Sequence, residues 1–147
     1  PEPGLDLEIR QGDIHSLDQF SSMKPHRRTT VSKIEIPEGV PEDFFGLEFS
    51  GYLLIPETGS CNFSLLSDDG SRLYLNDSLL LDNDGIHSIR PVSCAVLLKK
   101  GMHPFRLLFF DRLHAQSLEM ILSCGKAGEI NNPEGYFFRS VKKEPEK

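Results

Sequence analysis

The 147 residues carry a formal net charge of −6, with charged side chains at 26% and hydrophobic ones at 38%. That balance suits a globular protein and argues against a nucleic-acid binder, because neutralising phosphate needs a basic face. The length suffices for one domain with its own core, and no apolar run approaches a membrane span. Pro1 opens the chain without a methionine, so a trimmed piece or part of a longer polypeptide is expected. Three cysteines, Cys61, Cys94 and Cys124, fall in no metal-ligand spacing. Each sits in or beside an apolar strand-like stretch, which predicts small buried hydrophobes.

In chain order, Leu5 to Ile9 alternates apolar and acidic residues with the period of a half-buried strand. Residues 13–28 are mixed and polar. They predict a loop that docks a few apolar anchors such as Phe20 and Met23, with a short helical turn near Ser16 to Ser21. Alternation returns from Thr29 to Ile36 and is broken by Pro37, Gly39 and Pro41. Phe44 to Ile55 predicts a long strand in which Gly46 and Gly51 mark a bulge or bend. A Pro-Glu-Thr-Gly turn then leads into CNFSLL.

The stretch from Ser67 to Ser88, SDDGSRLYLNDSLLLDNDGIHS, is the densest in signals. RLYL and SLLLD predict two short strands joined at Asn76-Asp77, residue types that tolerate positive φ in hairpin turns. The carboxylates of Asp68, Asp69, Asp82 and Asp84 gather in the loops near its ends. Val92 to Leu98, HPFRLLFFD and SLEMILS predict three more strands. Gly125 to Lys147 reads as loop apart from Tyr136-Phe137-Phe138, with a solvated, frayed tail from residue 141. Short strands at steady spacing, with no long helical period, predict an all-β antiparallel sandwich over the single domain 1–147.

The stretches GLDLEIRQGDI, FFGLEFSGYLLIPETGSCNFSLLSDDGSRLYLND, DNDGIHS and LLKKGMHPFRLLFFD resemble the PA14 domain, a jelly-roll-related β-sandwich module named after protective antigen. SLEMILSCGKAGEI is similar to the family's last core strand and its exit, so the resemblance spans about residues 3–140. SDDGSRLYLND is its most specific part. The chain departs from the pattern at Ile9-Arg10, where an aromatic pair is usual, at Cys61 (commonly tyrosine) and at Cys124 (commonly tryptophan).

Family members that act as lectins use the two adjacent aspartates, joined by a cis peptide, as calcium ligands, with an asparagine at the end of a later strand. Carried over, the resemblance implies Ca2+ as cofactor, held by Asp68 and Asp69, with Asp111 at the asparagine position. Calcium accepts either oxygen donor. The sugar's vicinal hydroxyls would complete the shell. Asp84 and His87 in one loop, and Arg112 and His114 in another, would join the three aspartates in ligand binding. The alternative is that Asp68 and Asp69 satisfy turn amides beside Gly70.

No serine–histidine–acid arrangement is signalled, and adjacent carboxylates cannot flank a sugar ring as glycosidase pairs do. The expected function is therefore a non-catalytic carbohydrate-binding module, accessory to a glycoside hydrolase or carried by a cell-surface protein. Its partners would be a glycan or glycoconjugate and a neighbouring domain of a longer chain, with no nucleic acid and no membrane span. An extracellular, cell-surface or periplasmic location follows from the resemblance. The competing expectation is a scaffold or protein-interaction domain with no ligand of its own. The absence of Trp and the presence of only three Tyr weaken an aromatic-platform sugar site and leave a metal-dependent one, or none.

Overall fold

The computed structural model describes residues 1–141, apart from 114, 127 and 132. Among the described residues, twelve strands form two facing sheets: β1 (Glu2–Pro3), β2 (Leu5–Gln11), β3 (Arg27–Val31), β4 (Phe45–Ile55), β5 (Gly59–Asp68), β6 (Ser71–Leu75), β7 (Ser78–Asn83), β8 (Arg90–Leu98), β9 (Gly101–Asp111), β10 (Ser117–Cys124), β11 (Glu129–Asn131) and β12 (Phe137–Arg139). The large sheet runs β1-β12-β4-β9-β6-β7, and β2, backed by β3, takes the rest of the β4 edge. The small sheet runs β11-β10-β5-β8. All pairings are antiparallel, as the alternation predicts.

Alternate residues of each strand meet between the sheets. Leu5, Leu7 and Ile9 of β2, Phe45, Leu47 and Phe49 of β4, and Phe63 and Leu65 of β5 are all buried there. A second, smaller core lies on the outside of the large sheet. Ile14, Leu17 and Phe20 cover Leu108 and Phe110, so the loop between β2 and β3 is anchored as its apolar residues predict. Its helical turn, Leu17–Ser22, is a 3-10 helix capped by Ser16.

Three local expectations are corrected. The strand expected from Thr29 to Ile36 ends at Val31, because its partner β2 starts at Leu5, directly opposite. Gly46 and Gly51 mark no bulge: β4 keeps an unbroken register with β9 from Phe45↔Asp111 to Ile55↔Gly101. They are needed for close approach instead, since a Cβ at Gly46 would lie 2.5 Å from the Phe20 ring and one at Gly51 2.5 Å from the Phe138 carbonyl oxygen. The register shift falls in the hairpin, between Leu73 and Tyr74. Third, Cys61 and Cys124 are not free hydrophobes but a disulfide between directly opposed residues of β5 and β10, leaving Cys94 as the free cysteine. The tail from 142 to 147 lies outside the described residues.

The hairpin turn forms as its sequence predicts, with Asn76 and Asp77 at φ 53° and 63°. It projects β6 and β7 to one side, and β9 lies beside β6. This order places the end of β5 and the end of β9 at the same margin of the sandwich.

Candidate functional site

Two chain segments meet at that margin. The amide of Phe110 donates to the Gly70 carbonyl at 2.9 Å, and the amide of Arg112 donates to Asp69 Oδ2 at 2.8 Å. The Asp68–Asp69 bond is cis. Gly70 is fixed by crowding: a Cβ there would meet the Phe110 ring at 2.5 Å and the Gly85 amide nitrogen at 2.8 Å. The 68–70 turn is thereby wedged between the end of β9 and the loop after β7.

Asp69 is buried and its carboxylate is held on both sides, since Oδ1 accepts from the His87 amide at 3.2 Å and Oδ2 from Arg112. Asp111 is fully buried, and its Oδ1 has no hydrogen-bond partner. Oriented to donate, the side-chain amide of Gln116 reaches Asp111 Oδ2 and the Glu42 carbonyl, each at 3.2 Å. Burial above all, then the charges of Asp69, Asp43 and Asp68, push the Asp111 carboxyl up to about 7. Burial and Asp69 likewise raise Asp68, with His87 opposing. Desolvation and like charges disfavour ionisation, and among the described residues no cationic side chain forms an ion pair with the Asp111 carboxylate.

Asp43 is a fourth carboxylate of this cluster that sequence reasoning missed. It lies just before β4, whose first residue, Phe45, pairs with Asp111. Its Oδ1 is also buried and without a partner. Only the pairing of β4 with β9 brings it here, so no local motif marks it. Among the described residues, no three His, Cys, Asp or Glu side chains are grouped tightly enough to hold a metal ion by themselves. The four aspartates form an open cluster within electrostatic reach of Asp111.

The other predicted positions take distinct roles. Asp84 is turned to the second core: Oδ1 accepts from the Leu17 amide at 2.9 Å, Oδ2 from Ser16 Oγ at 2.7 Å, and Arg72 lies 3.2 Å from Oδ2. It braces the 3-10 helix through these bonds. His87 contributes its amide to Asp69, while its ring nitrogens lie 2.7 and 2.8 Å from the carbonyl oxygens of Ser88 and Asn83. The ring holds the loop's shape. Arg112 pairs with Asp13 at 2.8 Å and lies 6.0 Å over the Phe44 ring. That ion pair holds the Asp13 carboxyl below the usual range. His114 lies outside the described residues.

Phe44, at φ 58° and 37% exposed, stands next to Asp43. Its amide donates to the Arg112 carbonyl and its carbonyl accepts from the Gly12 amide, so an exposed aromatic is locked beside the carboxylates. Leu113, two residues after Asp111, is likewise 38% exposed.

Comparison with known proteins agrees with this architecture. A β-hexosaminidase of Porphyromonas gingivalis (strain ATCC BAA-308 / W83) is 27% identical over 120 residues, 74% of this chain; the chain spans 15% of that protein's length. A PA14 sugar-binding domain from an RTX adhesin superposes with a TM-score of 0.73 at 15% identity, covering 94% of this chain and all of that one (100%). An anti-sigma factor domain-containing protein superposes with a TM-score of 0.81 at 18% identity, covering 99% of this chain and 50% of that one. The PA14 domain family model matches residues 1–135. This chain belongs to the PA14 domain family.

Proposed function

We propose that this domain is a non-catalytic carbohydrate-binding module whose glycan is held at the Asp68–Asp69–Asp111 margin with the help of a calcium ion. One observation carries the reading: Asp111 is wholly buried, yet its Oδ1 is unpartnered and faces three other carboxylates' charge. A protein leaves such a group uncompensated where a ligand supplies the compensation. The unpartnered donors are carboxylate oxygens, which suits a hard cation. Because no three acidic side chains close on one point, backbone carbonyls and sugar hydroxyls would have to complete the six to eight oxygens typical of calcium.

The chain's own residues divide the work. Asp68 and Asp111 offer free carboxylate oxygens, and Asp69 fixes both neighbouring loops through their amides. Gln116 orients Asp111. Phe44 and Leu113 supply apolar rim against which a sugar's C–H face can rest. Asp43 adds negative charge and a second unpartnered oxygen. A sugar-binding PA14 domain among the similar structures, and a glycosidase relative much longer than this chain, fit an accessory module on a secreted or surface protein.

Calorimetric titration with calcium, for the unmutated protein and for Asp68→Ala, tests the cation. A glycan array read with calcium and again with chelator tests the sugar. Heat that Asp68→Ala abolishes, together with chelator-sensitive glycan binding, is the expected result. Silence in both would leave the scaffold role in its place.

A further inference from the structure

The outer face of the large sheet carries a cleft to which the reading above gives no task. Two cavities, about 380 and 640 Å³, lie side by side there and share Tyr74 and Arg106 as common wall. The register explains the arrangement. Tyr52 of β4 is opposite Pro104 of β9; two residues further along, Ser50, Arg106 and Tyr74 are opposite one another on β4, β9 and β6. The next row is Glu48, Leu108 and Arg72. The 3-10 helix closes one end with Asp18, Phe20 and Ser21. Three strands abreast span roughly 10 Å, about two linked pyranose rings.

Two of the three tyrosines of this Trp-free chain stand in this cleft. The Arg106 guanidinium lies 4.3 Å over the Tyr74 ring, with its side chain 46% exposed and one loose ion pair, 3.8 Å to Glu48. Arg10 is only 7% exposed and lines the same space. Its Nη1 lies 3.0 Å from Glu48 Oε1 but makes no aligned hydrogen bond, so a buried donor is left to be satisfied. The lining charges nearly cancel: Asp6, Asp18, Glu48 and Asp77 stand against Arg10, Arg72 and Arg106. A lining with four carboxylates and three guanidiniums gives an ionic ligand little advantage. Ring faces interleaved with paired donors and acceptors match a ligand with apolar C–H faces and vicinal hydroxyls.

We propose that this cleft is a second carbohydrate site, which takes a neutral oligosaccharide across β4, β9 and β6 without a metal. It does not rest on the acidic cluster. The groups in contact are the Tyr52 ring and the Arg106, Glu48 and Arg10 side chains, with the Tyr74 ring backing Arg106. The test is a two-dimensional amide NMR titration of the full chain in chelator with cellotetraose and with chitotetraose. The expected result is shifts at Glu48, Ser50, Tyr52, Tyr74 and Arg106 with at least one probe. Arg106→Ala should weaken binding by about tenfold, as for loss of one stacked or bidentate contact. No shift with either probe at millimolar concentration overturns the proposal, as do shifts confined to the loops around Asp69 and Asp111. Because the map is read on the unmutated protein, a misfolded variant does not decide the outcome.

Discussion

The amide of Arg112 donates to Asp69 Oδ2 at 2.8 Å, so a carboxylate 43 residues earlier in the chain fixes the first residue after β9. Its other oxygen fixes His87. One side chain thus ties together the turn, the end of the long strand and the loop after the hairpin.

Asp69→Ala is therefore expected to cost stability whether or not a cation is present. It leaves two amides without acceptors, a loss of about 2–3 kcal/mol for bonds to a charged group. Denaturant unfolding in chelator measures it. A change below about 0.5 kcal/mol would show that the loops do not depend on this carboxylate.

Asp111 gives a pH dependence of fixed sign. Its carboxyl is held at about 7 in the fold, against the ordinary value of 3.8. A group raised in the folded state favours folding while it is protonated, and that contribution is lost as pH climbs through the folded value. In chelator the protein is expected to be more stable at pH 5 than at pH 8, and Asp111→Asn should remove most of the difference. Unfolding curves for both proteins at both pH values check this. Equal pH slopes for the two would remove Asp111 as the cause.

The disulfide between Cys61 and Cys124 closes a loop with a sequence separation of 63. Restricting a loop of that size stabilises a domain by about 2–4 kcal/mol. Reduction, or the double substitution Cys61→Ala/Cys124→Ala, should lower the denaturation midpoint accordingly. Thiol counting on the denatured, unreduced protein should find one free thiol, from Cys94. Three would contradict the pairing.

Asp84 separates structure from binding. Its carboxylate accepts from the Leu17 amide and Ser16 Oγ and pairs with Arg72. Asp84→Ala should destabilise the 3-10 helix region by about 1–2 kcal/mol, the range for a lost helix cap. Calcium titration heat should stay as in the unmutated protein. Loss of that heat in a folded Asp84→Ala protein would return Asp84 to the ligand set.

Much of the fold is legible in the residues themselves, because period-two alternation and positive-φ turn residues are local signals. The Asn76-Asp77 hairpin and the long strand ending at Asp111 need no tertiary knowledge. What is not legible depends on which distant segment arrives. Gly46 and Gly51 look like bends, yet their missing side chains make room for Phe20 and the Phe138 carbonyl. Asp84 sits in an Asp-Asn-Asp-Gly turn that reads alike whether its carboxylate meets solvent or the Leu17 amide. Asp43 follows Pro41-Glu42, an ordinary loop, and gains meaning only because Phe45 pairs with Asp111. Cys61 and Cys124 become opposed only when β5 meets β10.

The pairing of β1 with β12 sets Glu2 opposite Arg139, and their side chains meet at 2.8 Å. The first and last strands thus sit together on one rim. A body of that design can be spliced into a surface loop of a host enzyme without prising the loop's ends apart. The same arrangement lets it hang like a pendant from a stalk.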